Sequence, residues 1–333
     1  MTNLMLIFVA ALILAGAGTP LARRAALRLK IVDQPGPRKV HLNPIPLLGG
    51  LAIYGAFTAA LLLFGDRFYI SQLVGIFLGA TLVSFFGLWD DRRGMNPLLK
   101  LSAQVVATLI LILSGVQVTF VPNLPALNLF LTFLWVVGIT NAMNLLDNMD
   151  GLSGGVGAIA AAFFLLLAAT SGQYLVGSLT AALLGACIGF LYYNFNPASI
   201  FMGDSGSLFL GFVLAAVGIK LRFPFQHYGI SWMIPVMVLG LPIFDTTLVT
   251  ISRLRRKVPI YVGGKDHVSH RLVAMGLSHR QAVVASYLVC VALGLVGLLL
   301  TRAGEPDGYI IGGAVALLGL VALWILERVK WEE

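Results

Sequence analysis

An all-α integral membrane bundle is the fold class this sequence predicts, and three observations predict it. Of 333 residues, 59% are hydrophobic and 11% charged, whereas soluble domains carry about a quarter charged residues. Apolar runs of about 20 residues, the length a helix needs to cross hydrocarbon, recur along the whole chain. Lys and Arg gather on alternate connections between those runs. A soluble core could not hide this much apolar surface, so the solvent is the bilayer.

The runs predict eleven spans, at roughly 3–22, 46–64, 71–89, 98–115, 128–144, 152–170, 174–194, 206–221, 230–252, 281–301 and 308–326. The first is a retained span and not a cleaved signal. Met1-Thr2-Asn3 carries no positive side chain, and Arg23-Arg24 follows the run instead of preceding it. Odd-numbered connections receive 18 of the 22 Lys and Arg; Arg67, Lys220, Arg222 and Arg302 fall on the other side. Basic loops stay in the cytoplasm, which puts the N-terminus outside and the C-terminus inside. The net charge of +8 is thus a topology signal, and no nucleic-acid partner is expected. Cys187 and Cys290 lie in apolar runs, so neither a disulfide nor a thiolate metal site is indicated. No linker interrupts the pattern, and a single transmembrane domain, 1–333, is expected.

Eleven of the fourteen acids fall on the cytoplasmic side as well: Asp33, Asp90, Asp91, Asp147, Asp150, Asp204, Asp245, Asp266, Glu327, Glu332 and Glu333. Acids contribute little to topology, and carboxylates at the ends of apolar helices are costly to keep. Their recurrence where separate spans reach one face argues for a shared site.

Four constellations carry chemistry. Asp90-Asp91, where the third span exits, can bind Mg²⁺ or divide two pKa values for proton transfer, unless Arg92 and Arg93 merely pair with them. Asn141, Asn144, Asp147 and Asp150 are spaced three apart. On one helix, adjacent members would share a face and offer amides and carboxylates to a polar ligand. After Asn194, Asp204 and Ser205 precede a new apolar helix, where they can cap it. Such a helix start suits a phosphate with its Mg²⁺, and Phe201 suits a planar base or the interface. The basic segment from Arg253 to Arg280 contains His267, His270 and Arg271, which suit phosphate oxygens. No third ligand at zinc spacing accompanies the two histidines, and Arg253, Arg255, Arg256 and Lys257 equally suit lipid headgroups. Asp245, about two turns inside the ninth span, needs a partner or a wet cleft, and Pro242 permits a kink there.

Together these residues resemble the polyprenyl-phosphate N-acetylhexosamine-1-phosphate transferases, integral-membrane enzymes that start bacterial cell-envelope glycans. The resemblance runs from Asp33-Gln34-Pro35 and Lys39 through Asp90-Asp91, Asn141 to Gly151, Phe201 to Ser207 and Asp245. It ends in Gly264-Lys265-Asp266-His267 and His270-Arg271. It implies Asp204 as a Mg²⁺ ligand, with Mn²⁺ the alternative ion, and Asp90 and Asp91 as the catalytic pair. It further implies Asn144, Asp147 and Asp150, with Asn194 and Phe201, as the nucleoside and diphosphate pocket. Lys39 and the His267/His270 segment are implied as further substrate contacts, and Asn141, Ser207 and Arg271 are carried as binding candidates beside them. Ser269 stands before His270 where the family often has adjacent histidines, and the histidine triplet of the peptide-bearing siblings is missing. That favours a small N-acetylated sugar, N-acetylglucosamine before others.

The resemblance therefore implies transfer of a sugar 1-phosphate from UDP-N-acetylhexosamine to undecaprenyl phosphate, releasing UMP. The setting would be the bacterial cytoplasmic membrane, in lipopolysaccharide or teichoic acid biosynthesis, with a cytoplasm-facing site and a homodimer. Two rivals share the composition. A Mg²⁺-dependent membrane prenyltransferase spaces its acids three or four apart, unlike Asp90-Asp91. A proton-coupled transporter would show an inverted repeat or paired broken helices.

Overall fold

The computed structural model describes residues 2–35, 43–65, 70–121, 123–223 and 228–329. The chain forms two compact units, one built from the described residues through Arg222 and the other from Phe223 onward.

The first unit is helical apart from one short ribbon. Its helices are α1 (Thr2–Leu29), α2 (Gly49–Phe64), α3 (Ile70–Arg93), α4 (Pro97–Leu113), α5 (Pro125–Leu146), α6 (Leu152–Thr170), α7 (Tyr174–Asn194) and α8 (Gly203–Lys220). The ribbon pairs β1 (Val32–Asp33) with β2 (Ile45–Pro46) antiparallel, Val32 opposite Pro46. Helix α8 is the axis: every residue from Ser205 to Ile219 is buried, and α2, α3, α5, α6 and α7 all touch it. A helix apolar on every side has no solvent face to offer, so it belongs in the middle of a bundle.

Close approach at the start of α8 depends on glycine. A Cβ on Gly50 would collide with the backbone of Gly206, and one on Gly87 with the backbone of Asp204 and Ser205. With hydrogen in place of a side chain, α2 and α3 can lie against the first turn of α8. Helix α4 starts from Asn96, whose side chain accepts the Leu98 N–H at 2.9 Å, with Pro97 at the first helical position.

The second unit comprises α9 (Tyr228–Ser231), α10 (Met233–Val238), α11 (Gly240–Arg256), α12 (Val268–Ala274), α13 (His279–Leu300) and α14 (Glu305–Glu327). A capping box formed by Ser278 and Gln281 opens α13.

Among the described residues, eight helices are long and apolar enough to cross a membrane, or nine if the bent pair counts as one span. That pair is the expected ninth span, 230–252: it breaks at Leu239, and the pieces diverge by 78°. Pro242 falls in the first turn of α11, where a missing N–H costs nothing, so it starts a helix and does not kink one. The expected second and fourth spans are the apolar helices α2 and α4, of 16 and 17 residues, shorter than the about 20 residues of an upright crossing.

Candidate active site

The first unit draws carboxylates from α3 and α8 around one ammonium group. Lys100 Nζ lies 3.1 Å from Asp90 Oδ2 and bonds Asp204 Oδ2 directly. It also donates to Asn144 Oδ1 at 3.1 Å. Asn144 donates through Nδ2 to Asp204 Oδ1 at 2.7 Å and to Ser207 Oγ at 2.8 Å. The expected Asp90, Asn144, Asp204 and Ser207 therefore meet at one point.

Asp91 has a different job from its neighbour. Its two oxygens accept the backbone N–H groups of Asp204 (2.8 Å) and Ser205 (3.1 Å). Those are orphan donors of the first turn of α8, which has no side-chain cap of its own. Asp204 and Ser205 were expected to cap α8 from within. Instead Asp91 caps it from α3, and Asp204 is free to turn toward Lys100. The physical reason is the approach at Gly87, which brings the end of α3 within hydrogen-bond reach of those donors.

The three-apart series does not remain on one helix. Helix α5 ends at Leu146, so only Asn141 and Asn144 share its face; Asp147 caps its end, and Asp150 lies in the turn before α6. Asn141 is taken up by Gln104 of α4: it donates to Gln104 Oε1 at 2.6 Å and accepts from Nε2 at 3.2 Å. Asp150 Oδ2 accepts from Ala198 N at 2.9 Å and Asn196 Nδ2 at 3.1 Å, which braces the loop before α8. Asn194 accepts from Gly151 N at 3.1 Å and donates to Ile200 O at 3.0 Å. Phe201 is fixed through its backbone, donating to Pro46 O and accepting from Gly49 N. These four hold the frame of the site.

Asp147 retains some accessible surface, yet protein encloses it on most sides. That desolvation, with the negative charges of Asp204, Asp91 and Asp150, pushes its carboxyl up to about 8. At neutral pH it is a hydrogen-bond donor as well as an acceptor.

The remaining candidates belong to the second unit. His267 Nδ1 lies 2.7 Å from Asp245 Oδ2, and Asp245 Oδ1 accepts the Val268 N–H at 2.7 Å. This is the partner that a buried Asp245 required. Arg271 is fully buried and bonded internally, to Asp266 O and Ser252 Oγ (both 2.9 Å) and to Leu326 O. Expected as a ligand contact, it is instead a strut between α12, α11 and the end of α14. Each of its three guanidinium nitrogens meets an oxygen that a basic sequence motif does not reveal. His270 keeps an unpartnered Nδ1. Burial, with His267 beside it, holds its ring down to about 4, so it is neutral across the physiological range. Lys39 lies outside the described residues.

Lys100 is the residue sequence reasoning missed, although a signal was present. It is a lone ionisable group in the first turn of an apolar run, and such groups are functional by default. Reading it only as a topology charge hid that.

Among the described residues, no three His, Cys, Asp or Glu side chains group as a metal site. The donors around Lys100 are nonetheless all hard oxygens. Mg²⁺ takes one or two carboxylates and completes its shell with phosphates and water, so the residues present fit that ion.

The model of glycosyl transferase family 4 matches residues 73–222, the stretch that holds this cluster. A probable undecaprenyl-phosphate N-acetylglucosaminyl 1-phosphate transferase of Bacillus subtilis (strain 168) is 36% identical over 91% of this chain and 86% of its own length. A decaprenyl-phosphate N-acetylglucosaminephosphotransferase of Mycobacterium leprae (strain TN) is 31% identical over 98% and 91%. An undecaprenyl-phosphate alpha-N-acetylglucosaminyl 1-phosphate transferase of Salmonella typhi is 27% identical over 84% and 78%. With identity above 30% carried along nearly the full length of both chains, this protein belongs to glycosyl transferase family 4, among the polyprenyl-phosphate N-acetylhexosamine-1-phosphate transferases.

Proposed function

We propose that this enzyme transfers N-acetylglucosamine 1-phosphate from UDP-N-acetylglucosamine to undecaprenyl phosphate and releases UMP, as the first membrane step of a cell-envelope glycan. We place it in the bacterial cytoplasmic membrane as a homodimer. All eleven apolar runs cross, and the site faces the cytoplasm. The observation that carries the reading is the meeting of Asp90, Asp204 and Asn144 at Lys100. Alternating charges at a helix start are what a lipid phosphate and a nucleotide diphosphate require of a protein.

An oxygen of the lipid phosphate attacks the β-phosphorus of the sugar nucleotide. A new P–O bond forms as the bond to the UMP oxygen breaks, and the electron pair leaves with UMP. The lipid phosphate is largely ionised at neutral pH (second pKa about 6), so no protein base has to take a proton from it. What the chain supplies is position and charge. Lys100 neutralises phosphate oxygens in a site of low polarity, where such a contact acts most strongly. Asp90, which pairs with Lys100, is the member of the pair nearer the lipid phosphate. Asp91 sets the start of α8 and so the aim of Asp204. Asp147, protonated, donates to a carbonyl of the nucleobase or sugar. Asp204, Asn144 and Asp90 would hold Mg²⁺, which when bound neutralises charge on the diphosphate.

The test is direct. Detergent-solubilised protein is incubated with undecaprenyl phosphate, a panel of labelled UDP-sugars and Mg²⁺, and the products are separated. UMP and a sugar-diphospholipid are expected, with UDP-N-acetylglucosamine preferred. Release of pyrophosphate would indicate a prenyltransferase, and a folded protein releasing neither product would end the proposal.

A further inference from the structure

Beyond the reaction, the last turn of α11 and the segment after it carry a surface of their own. It runs from Leu254 to Lys265 and contains no acid between its ends. Its base is rigid. Arg253 Nε and Nη2 grip the two oxygens of Asp266, both at 2.9 Å, while Nη1 bonds the Ile260 carbonyl. Val258 N donates to Arg253 O, and Val262 N to Pro259 O. Arg256 joins the same clamp, with Nη2 2.6 Å from Asp266 Oδ2. These bonds pin the segment at both ends and at Ile260, and the side chains around them form an exposed finger.

Helical spacing sorts the basic residues. Arg253 and Arg256, three apart, turn inward to Asp266, while Arg255 and Lys257 turn outward and are exposed. The tip beside them is apolar: Leu254 is 61% exposed, Ile260 43% and Tyr261 75%. Exposed aliphatic and aromatic groups flanked by cations are unfavourable in water yet suit the zone between acyl chains and phosphates. The finger also leads from the second helix of the broken ninth span into α12, which is followed by α13, the next helix long and apolar enough to cross, so the bilayer surface is within reach.

We propose that this finger docks on the anionic inner-leaflet surface. Arg255 and Lys257 contact lipid phosphates, and Leu254, Ile260 and Tyr261 enter the headgroup layer. The partner is a negatively charged lipid surface and not an acidic protein, because the apolar tip has a use only where acyl chains lie beneath the charge. The inference rests on the cytoplasmic reading of this side, but not on the chemistry of the acid cluster.

Both native cysteines are buried, so a dye on Tyr261→Cys reports this position selectively. The labelled full-length protein is reconstituted in vesicles of phosphatidylcholine, with and without phosphatidylglycerol, made with brominated acyl chains. The expected result is blue-shifted emission quenched by the bromines, more strongly in the anionic vesicles. At about 1 kcal/mol per basic side chain, adding Arg255→Gln and Lys257→Gln lowers occupancy of the surface roughly 30-fold and removes the preference for anionic lipid. UMP release in detergent, expected to persist in that variant, shows that it is folded. Equal, weak quenching in both vesicle types would overturn the proposal. So would a dye that shifts only when acidic soluble protein is added.

Discussion

Two regions hold buried or half-buried charge in this molecule, and they treat it in opposite ways. In the first unit, Lys100, Asp90 and Asp204 keep 15%, 18% and 30% of their side-chain surface accessible. In the second, Arg253, Asp266 and Arg271 keep 2%, 1% and none. Every guanidinium nitrogen of Arg253 and Arg271 meets a protein oxygen, so that network fastens α11, α12 and α14 together. The charges of the first unit are paired as well, yet each keeps part of its surface accessible. A ligand can meet them there. Charge that is paired and sealed is scaffold, whereas charge that is paired and open is a site.

That contrast can be broken from either side. The largest effect is expected from Asp266→Ala, which strands Arg253 and Arg256 without their carboxylate. Breaking a buried ion pair costs about 3–5 kcal/mol, seen as a lowered Tm of the detergent-solubilised protein; an unchanged Tm would show that the network is not scaffold. Next is Asp204→Ala. Loss of one preorganised charged group at a phosphoryl-transfer site costs about 10²–10³ in turnover, with little loss of Tm. Near-normal UMP release by this variant would sink the assignment of the site.

The protonated state of Asp147 sharpens the comparison further. Because its carboxyl is raised to about 8, it is held neutral at pH 7. Asp147→Asn keeps a neutral donor and should retain turnover within about tenfold, while Asp147→Ala loses more, by about 1.4 kcal/mol for each further factor of ten. Equal losses in the two variants would mean that ionised Asp147 is the working form.

The smallest effect concerns His270. Its folded-state value of about 4 lies below the ordinary 6.5, so the unfolded chain binds more protons between those values. Stability contributed by the neutral ring is present above pH 6.5 and falls away as the pH drops toward 4. His270→Gln should flatten the fall in Tm over that interval, and an unaltered slope would assign the acid sensitivity elsewhere.

Much of this was legible in the residues themselves. Hydrophobic period and length announce the helices because the bilayer forbids unpaired backbone, although the break at Leu239 in the expected ninth span did not follow from that rule. The acids that matter were legible as charges where charge is expensive. The roles of Asp90 and Asp91 were not. Adjacent residues look equivalent in a sequence, but on a helix they point about 100° apart. One therefore meets Lys100 while the other meets the start of α8. Asn141, Asp150 and Asn194 read as ligand groups because a polar side chain in an apolar run is costly. Whether protein or ligand repays that cost depends on what packs opposite, here Gln104, Ala198 and Gly151.

By itself, then, the sequence determined the solvent, the helices and the list of residues that had to find partners, since these follow from local composition and periodicity. Tertiary structure alone decided which partner each one found. It made Arg271 a strut, Asp91 a cap and Lys100 the centre of the site, because hydrogen bonds and ion pairs act over about 3 Å and only packing brings distant segments that close.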